Sequence, residues 1–259
     1  MLFEGQVAVV SGSGPGLGRE IAFALAREGA DVVVAARRAD GVAKVAAKVE
    51  AMGRRALPVP CDVTDPDACM ALAERASAEL GGIDVLVANA YHDGDFSRVL
   101  DADLSTWRTT FDVNFFGAVH MVRAVAPHMR ERGGGRVVMV NTMSTERVQE
   151  GFGVYAASKA ALKSITRTLA KELGPDGIRV NGVHPGYIWG PSVEWFFRHQ
   201  AEQRGITPEE VYAEVAGETA LGYLPDAAEV AGAVVMLASD LARCVTGQAL
   251  GANAGHWFH

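Results

Sequence analysis

Short β-branched runs alternate with longer stretches of helical periodicity along most of the chain, and this alternation constrains the fold more than any other feature. Gln6–Val10, Asp31–Ala36, Ala56–Cys61, Ile83–Ala88, Arg136–Asn141 and Arg179–His184 read as strands. Most are continuously apolar, the pattern of strands covered by helices on both faces. Between them, Leu17–Glu28, Asp65–Leu80, Asp103–Arg132 and Tyr155–Leu173 carry apolar residues at helical spacing. Gly29, Gly81 and Gly174 stand where a helix C-terminus needs a residue tolerant of positive φ. Repeated β-α-β units with right-handed crossovers predict an α/β fold, a doubly wound parallel sheet with helices on both faces, Rossmann-like. No repeat, low-complexity tract or linker is visible, so residues 1–259 are expected to form a single domain. Residues from about 189 to 220 break the alternation and read as a helical insertion. A last helix, Asp226–Ser239, and a strand near Gln248–Ala252 follow.

Composition excludes several classes of function. The chain has 24 Lys plus Arg against 31 Asp plus Glu and no basic run, which removes an electrostatic case for nucleic acid or an anionic membrane. No apolar stretch approaches the roughly 18 residues of a membrane span. Cys61, Cys69 and Cys244 are too scattered for a disulfide framework or a zinc site, and the seven His form no H-E-x-x-H, so no metal is expected. Met1–Val10 carries Glu4 and no basic leader, which makes the cytoplasm the expected location.

The first strand runs directly into Ser11-Gly12-Ser13-Gly14-Pro15-Gly16-Leu17-Gly18 and then an amphipathic helix. A turn without side chains lets backbone N–H groups at a helix N-terminus approach a pyrophosphate, where the helix dipole favours negative charge. The common G-x-G-x-x-G pattern fails, because its sixth position counted from Gly12 is Leu17. Gly12, Gly16 and Gly18 instead make G-x-x-x-G-x-G. Its place between the first strand and first helix of a βαβ unit points to a dinucleotide.

This turn is similar to the T-G-x-x-x-G-x-G of the short-chain dehydrogenase/reductase family, with Ser11 in place of Thr. Further landmarks follow in the family's order. Cys61-Asp62-Val63 resembles its adenine-binding Asp-Val, and Ala88-Asn89-Ala90-Tyr91 its N-N-A-G. Val113-Asn114 resembles its mid-helix Asn, Tyr155-x-x-x-Lys159 its catalytic pair, and His184-Pro185-Gly186 its Pro-Gly. The resemblance covers about Phe3 to Gly255. It implies an NAD(P)-dependent oxidoreductase that interconverts a secondary alcohol and a ketone by hydride transfer. It also implies cofactor contacts from Gly12, Ser13, Gly16, Leu17, Gly18, Asp62, Val63, Asn89, Lys159, Pro185, Gly186 and Ile188. Relatives associate through two helices and the C-terminal strand. Because Asp103–Arg132 and Tyr155–Leu173 are apolar around much of their circumference, a homotetramer is expected, with a dimer as the alternative.

Tyr155 and Lys159 lie four apart on a predicted helix and therefore share one face, about one turn apart. A nearby ammonium favours the phenolate and is expected to lower the Tyr pKa from about 10. The resemblance makes Tyr155 the acid/base, Lys159 the group that holds the nicotinamide ribose and tunes Tyr155, and Asn114 the support of a water leading to solvent. The family's polar partner for the substrate oxygen is a Ser about thirteen residues before the Tyr. That count reaches Thr142. Alignment on the strand end, Val140-Asn141-Thr142-Met143-Ser144, puts Ser144 in the catalytic place instead. Ser144 is expected, with Thr142 as the alternative, since either hydroxyl can donate the hydrogen bond.

Ala36 ends the second strand where a carboxylate would select NAD, and Arg37 follows, suited to a 2′-phosphate. Pro15 occupies the place where many NADP-binding relatives carry a basic residue. NADP(H) is expected, with NAD(H) as the alternative. Tyr91 (which replaces the family's Gly), His92, Thr145, Trp189 and Trp195 are expected to line the substrate, and they point to an apolar alcohol or ketone, cyclic or aromatic. His92, Arg147 and Arg198 are candidates to bind a carboxylate on it. Two other functions share this fold: a dehalogenase-like lyase and a nucleotide-binding sensor without turnover. Gly12, Gly16, Gly18 and Lys159 argue against the first, and the intact pair of Tyr155 and Lys159 against the second.

Overall fold

In the computed structural model, which describes residues 1–258, seven parallel strands form one sheet in the order β3-β2-β1-β4-β5-β6-β7. The strands are β1 Val7–Ser11, β2 Asp31–Ala36, β3 Ala56–Pro60, β4 Val85–Ala88, β5 Gly135–Val140, β6 Ile178–Pro185 and β7 Ala249–Ala252. The helices are α1 Leu17–Arg27, α2 Ala39–Glu50, α3 Pro66–Leu80, α4 Leu104–Phe111, α5 Gly117–Glu131, α6 Gly153–Leu173, α7 Pro191–Arg204, α8 Pro208–Gly217 and α9 Ala227–Ala238. Every strand-to-strand pairing is parallel, as the continuously apolar runs require.

Two cores follow from the two-residue period of the strands. Val7, Val9, Val33 and Ala35 face one layer, where Leu72, Met121 and Leu162 of α3, α5 and α6 close over them. Ala8, Val10, Val32 and Val34 face the other layer, against Ile21, Leu25, Val45 and Val234 of α1, α2 and α9. The direction in which strands are added reverses at β1, which pairs with β2 on one side and β4 on the other. Open parallel sheets bind ligands in the crevice beyond the strand carboxyl ends at this reversal.

The sequence reading holds with local corrections. Strand limits shift by one or two residues. Helix α2 is absent from that reading, although its buried Val42, Val45, Ala46 and Val49 have helical spacing. Gly29 and Gly81 adopt positive φ (101° and 98°), as expected. Gly174 does not: its φ is −55°, Pro175 carries the chain through one more turn, and Gly177 at φ 72° makes the reversal. The expected single helix Asp103–Arg132 is interrupted by a five-residue π-helical segment, Asp112–Phe116. The insertion is a pair of helices, α7 and α8, with a small core of Phe197, Ala201, Val211, Ala216 and Leu224. Among the described residues no helix is long and apolar enough to cross a membrane.

Candidate active site

The glycine turn closes on itself and on the end of β4. Gly12 has φ 69°, and a Cβ there would lie 2.6 Å from the backbone of Ala90. A Cβ on Gly18 would collide with the Gly12 carbonyl oxygen and lie 2.6 Å from Asn89 Nδ2. These two glycines therefore let β1, α1 and β4 meet. Gly16 differs: it faces open space, and its φ of 97° is what excludes a side chain. It is the N-cap of α1 and no side chain caps that helix, so the first amides of α1, from Leu17 onward, have no side-chain acceptor. This arrangement fits a diphosphate.

Three polar side chains hold the turn. Ser11 Oγ donates to the Val87 carbonyl (3.4 Å) and accepts from Asn89 N–H (3.3 Å), which explains why a hydroxyl stands there. Asn89 Nδ2 donates to the Gly12 carbonyl at 2.8 Å. Ser13, expected to meet the cofactor, is wholly buried; its hydroxyl donates to the Val10 carbonyl and accepts from Ala35 N–H, and its own N–H bonds to Ala35. Its role is to shape the turn.

Beyond β2, Arg37 is exposed and its charge acts on Asp62. Asp62 accepts from the N–H and hydroxyl of Thr64, which hold its carboxyl below the usual carboxylate range. Val63 is buried against Gly117, and its carbonyl is bound by His120 Nδ1 at 3.0 Å, so its side chain belongs to the core.

Tyr155 and Lys159 share one face of α6 beside the end of β5. Lys159 is 2% exposed and donates from Nζ to the Val140 carbonyl at 2.7 Å. Burial pulls its pKa down to about 7, and the negative charge of Asp93 opposes that pull. Tyr155 departs from the sequence expectation. Enclosure in the protein outweighs everything else and pushes its phenol upward, while the Thr142 hydroxyl favours the phenolate and Asp93 and Tyr91 disfavour it.

The two candidate hydroxyls, Thr142 and Ser144, lie side by side just beyond β5. Thr142, at the end of β5, faces the Tyr155 phenol. Ser144 lies behind it, with its Oγ 3.2 Å from Thr142 Oγ1 and its N–H bonded to the same atom. A tight 3₁₀ turn, Met143–Thr145, starts immediately after Thr142, whose side chain caps it. Thr145, expected to meet substrate, ties its hydroxyl to the Thr142 carbonyl and to Glu146.

Asn114 owes its place to the π segment, a common device at functional sites. It is 1% exposed; its Oδ1 accepts from His92 N–H at 2.7 Å, and its Nδ2 donates to the His92 carbonyl and to Ser158 Oγ. It thus pins the segment after β4 to α6. His92, expected to line the substrate, has its Nδ1 bonded to Gly94 N–H and beside the Thr110 hydroxyl. Arg147 is bound to Glu218 and His256, and Arg198 pairs with Glu194, so neither is a ready carboxylate ligand.

Pro185 ends β6, and Gly186 lets this end approach Asn253 and Met143, where a Cβ would lie 3.0 and 3.3 Å away. Ile188 packs on the second core. Trp189 is built into the insertion, edge-on to Tyr212 at 4.6 Å. Trp195 stacks on His199 and is 62% exposed, so it stands on the outside of α7. Tyr91, 55% exposed, is left as the large aromatic at the site. Asp93, two residues on, went unread as a site residue although it lies three residues after the Asn89-Ala90 landmark; its charge acts on Tyr155, Lys159 and Tyr91.

A family model described as enoyl-(acyl carrier protein) reductase matches residues 12–256. The 7alpha-hydroxysteroid dehydrogenase of Escherichia coli K12 is 33% identical over 252 residues, covering 97% of this chain and 94% of the relative. The chain belongs to the short-chain dehydrogenase/reductase family. The cis-4-hydroxycyclohexanecarboxylate dehydrogenase of Sinomonas cyclohexanicum is another similar member, 36% identical over 98% of this chain and 97% of its own. Among solved structures, carveol dehydrogenase from Mycobacterium avium in complex with NAD superposes with a TM-score of 0.93, at 30% identity and 98% coverage of both chains. The protein is therefore an oxidoreductase of this family.

Proposed function

We propose that this oxidoreductase interconverts a secondary alcohol and a ketone with a nicotinamide cofactor, using Tyr155 as acid/base. One observation carries the reading: Tyr155 and the buried Lys159 stand one turn apart on α6, with the Thr142 hydroxyl on the phenol. The nicotinamide, when bound, supplies or accepts the hydride. The chain's own groups do the rest. The uncapped amides of α1 and the Gly12–Gly18 turn hold the diphosphate, and Lys159 holds the nicotinamide ribose.

Tyr155 keeps its proton at neutral pH, because enclosure disfavours the phenolate. It can thus donate that proton to a carbonyl oxygen, or take one back from an alcohol in the reverse direction. Thr142 donates a second hydrogen bond to the same oxygen. NADP(H) is the preferred cofactor in this reading, on the strength of Ala36 and the exposed Arg37. The substrate is a largely apolar ring alcohol or ketone: Tyr91 supports this, and relatives are named for a hydroxysteroid and a hydroxycyclohexanecarboxylate. A homotetramer is the expected assembly, supported by Leu104 and Phe116, which are 61% and 47% exposed on the α4–α5 helix.

The test is a turnover screen of cyclic alcohols and ketones with each nicotinamide cofactor, run in parallel on Tyr155→Phe. That variant keeps the ring and loses the transferable proton, so nucleotide binding should persist while turnover falls about 100-fold or more. Near-normal turnover in it would overturn the mechanism.

A further inference from the structure

Three segments far apart in the chain meet at one guanidinium. Arg147 lies in the loop that follows β5 and the Thr142 turn, Glu218 closes α8 of the insertion, and His256 stands in the C-terminal segment beyond β7. Arg147 grips the other two with separate nitrogens: one terminal N–H donates to Glu218 Oε2 at 2.6 Å, the other to His256 Nε2 at 2.8 Å. The imidazole is enclosed, its side chain 2% exposed, whereas Glu218 is half-exposed. A guanidinium only donates, so Nε2 must offer its lone pair and the proton of the neutral ring must sit on Nδ1. Nε2 then has no proton for Glu218 Oε2, 3.1 Å away, and Arg147 bridges two acceptors. Nδ1 is buried and meets no partner among the described residues. An unpaired buried donor costs free energy that an apolar side chain in the same place would not. The bond at Nε2 offsets that cost, so packing alone does not account for a histidine here.

The same segments stand beyond the carboxyl ends of β5 and β6, where the crevice opens. Gly186 approaches Met143, the neighbour of Thr142. Tyr187 follows; its hydroxyl donates to Gln149 of the Arg147 loop at 3.4 Å, and its ring lies 6.3 and 5.6 Å from those of Phe196 and Phe197 on α7. The C-terminal segment is laid against the insertion by backbone, because the N–H groups of Ala220 and Leu221 donate to the carbonyls of Gly255 and Ala254. Insertion and C-terminal segment are thus joined to each other, and Arg147 fastens both to the loop that carries Thr142. We propose that Arg147 is a positioning residue for substrate binding: with Glu218 and His256 it latches the α7–α8 insertion against the loop after β5, and so fixes the wall that a ring substrate meets beside Thr142. It acts through the insertion and takes no part in proton or hydride transfer. This rests on the redox reading above.

The test compares the wild type with R147M, H256L and H256Q. Glutamine can place its carbonyl oxygen where Nε2 stands, so H256Q keeps the acceptor for Arg147 that H256L lacks. Two readouts are taken on the full chain. One is KM and kcat for cyclohexanol, or for whichever ring alcohol the screen above converts best, at saturating cofactor. The other is hydrogen exchange of the α7 and α8 amides in the cofactor-loaded protein. In R147M and H256L, KM should rise about ten-fold with kcat within about two-fold of the wild type, and α7 and α8 should exchange about ten-fold faster, as the loss of one charge-assisted hydrogen bond implies. Exchange in α3, which belongs to the first core, should not change; this separates an unlatched insertion from a general loss of stability. H256Q should return both readouts to wild-type values. Damage in H256Q equal to that in H256L overturns the proposal. So does unchanged exchange in α7 and α8, acceleration that includes α3, or a fall in kcat at constant KM. If the screen finds no turnover while exchange in α7 and α8 still follows the expected order of variants, the latch stands and the redox reading falls.

Discussion

Lys159→Met is expected to stabilise the protein at neutral and acid pH, at the expense of the group proposed to hold the nicotinamide ribose. Lys159 is 2% exposed, and burial above all lowers its pKa from an ordinary 10.5 to about 7. Between those values the unfolded chain holds a proton that the folded chain has released, so stability rises with pH across that window. Below about pH 7 both states are protonated and the cost of burying the charge is at full size, about 5 kcal/mol. It shrinks by about 1.4 kcal/mol per pH unit above that and vanishes beyond the unfolded pKa. Methionine is comparable in length and uncharged, so it abolishes this cost. Against it, the Val140 carbonyl loses the 2.7 Å bond from Nζ, worth about 1–3 kcal/mol for a buried acceptor. The variant should therefore be more stable by about 2–4 kcal/mol at pH 6, equal to the wild type near about pH 9, and less stable above that. Urea unfolding at pH 6, 7.5 and 9 gives the difference directly, provided the slopes agree. A variant less stable than the wild type at pH 6, or an offset that ignores pH, would refute the placement of Lys159 as a buried cation held at stability's expense.

Three further outcomes are expected. Thr142→Ala should lower kcat/KM by about ten- to a hundred-fold, the loss of one hydrogen bond to a developing charge, and Ser144→Ala by much less; the reverse order would restore the alignment on the strand end. Ala36→Asp combined with Arg37→Gln should move preference from NADP to NAD by about ten-fold or more, because a repelling carboxylate replaces a forked cation; titration of both nucleotides by fluorescence measures it, and tighter NAD binding by the unmodified protein would remove Arg37 from cofactor selection. Light scattering at micromolar concentration should return four times the 27.4 kDa chain mass, and a monomer mass would refute the assembly.

What could be read without coordinates was whatever local period or a contiguous motif encodes. Continuously apolar strands announce a sheet covered on both faces, so the alternation of Val7–Ser11, Asp31–Ala36 and their successors determined the architecture. The Gly12–Gly18 turn, Asn114 and the Tyr155–Lys159 spacing could be picked out because each belongs to a contiguous motif that resembles the family's. The rest depended on contacts between distant segments. Ser13 could not be separated from Gly16 as a cofactor contact until β2 was seen to take up its hydrogen bonds. Thr142 and Ser144 differ by a two-residue step, and only the fold shows the Thr142 hydroxyl acting on the Tyr155 phenol of α6. The pKa of Tyr155 turned on burial, a property of the assembled crevice, rather than on the ammonium four residues away. Asp93 gained its place because Asn114 and Val154, from two different helical segments, hold the backbone on either side of it. Periodicity and motif thus determined the scaffold and the candidate pair of Tyr155 and Lys159, and tertiary packing decided which polar groups are already bonded within the protein, because a buried donor or acceptor is claimed by whichever partner the fold brings to it.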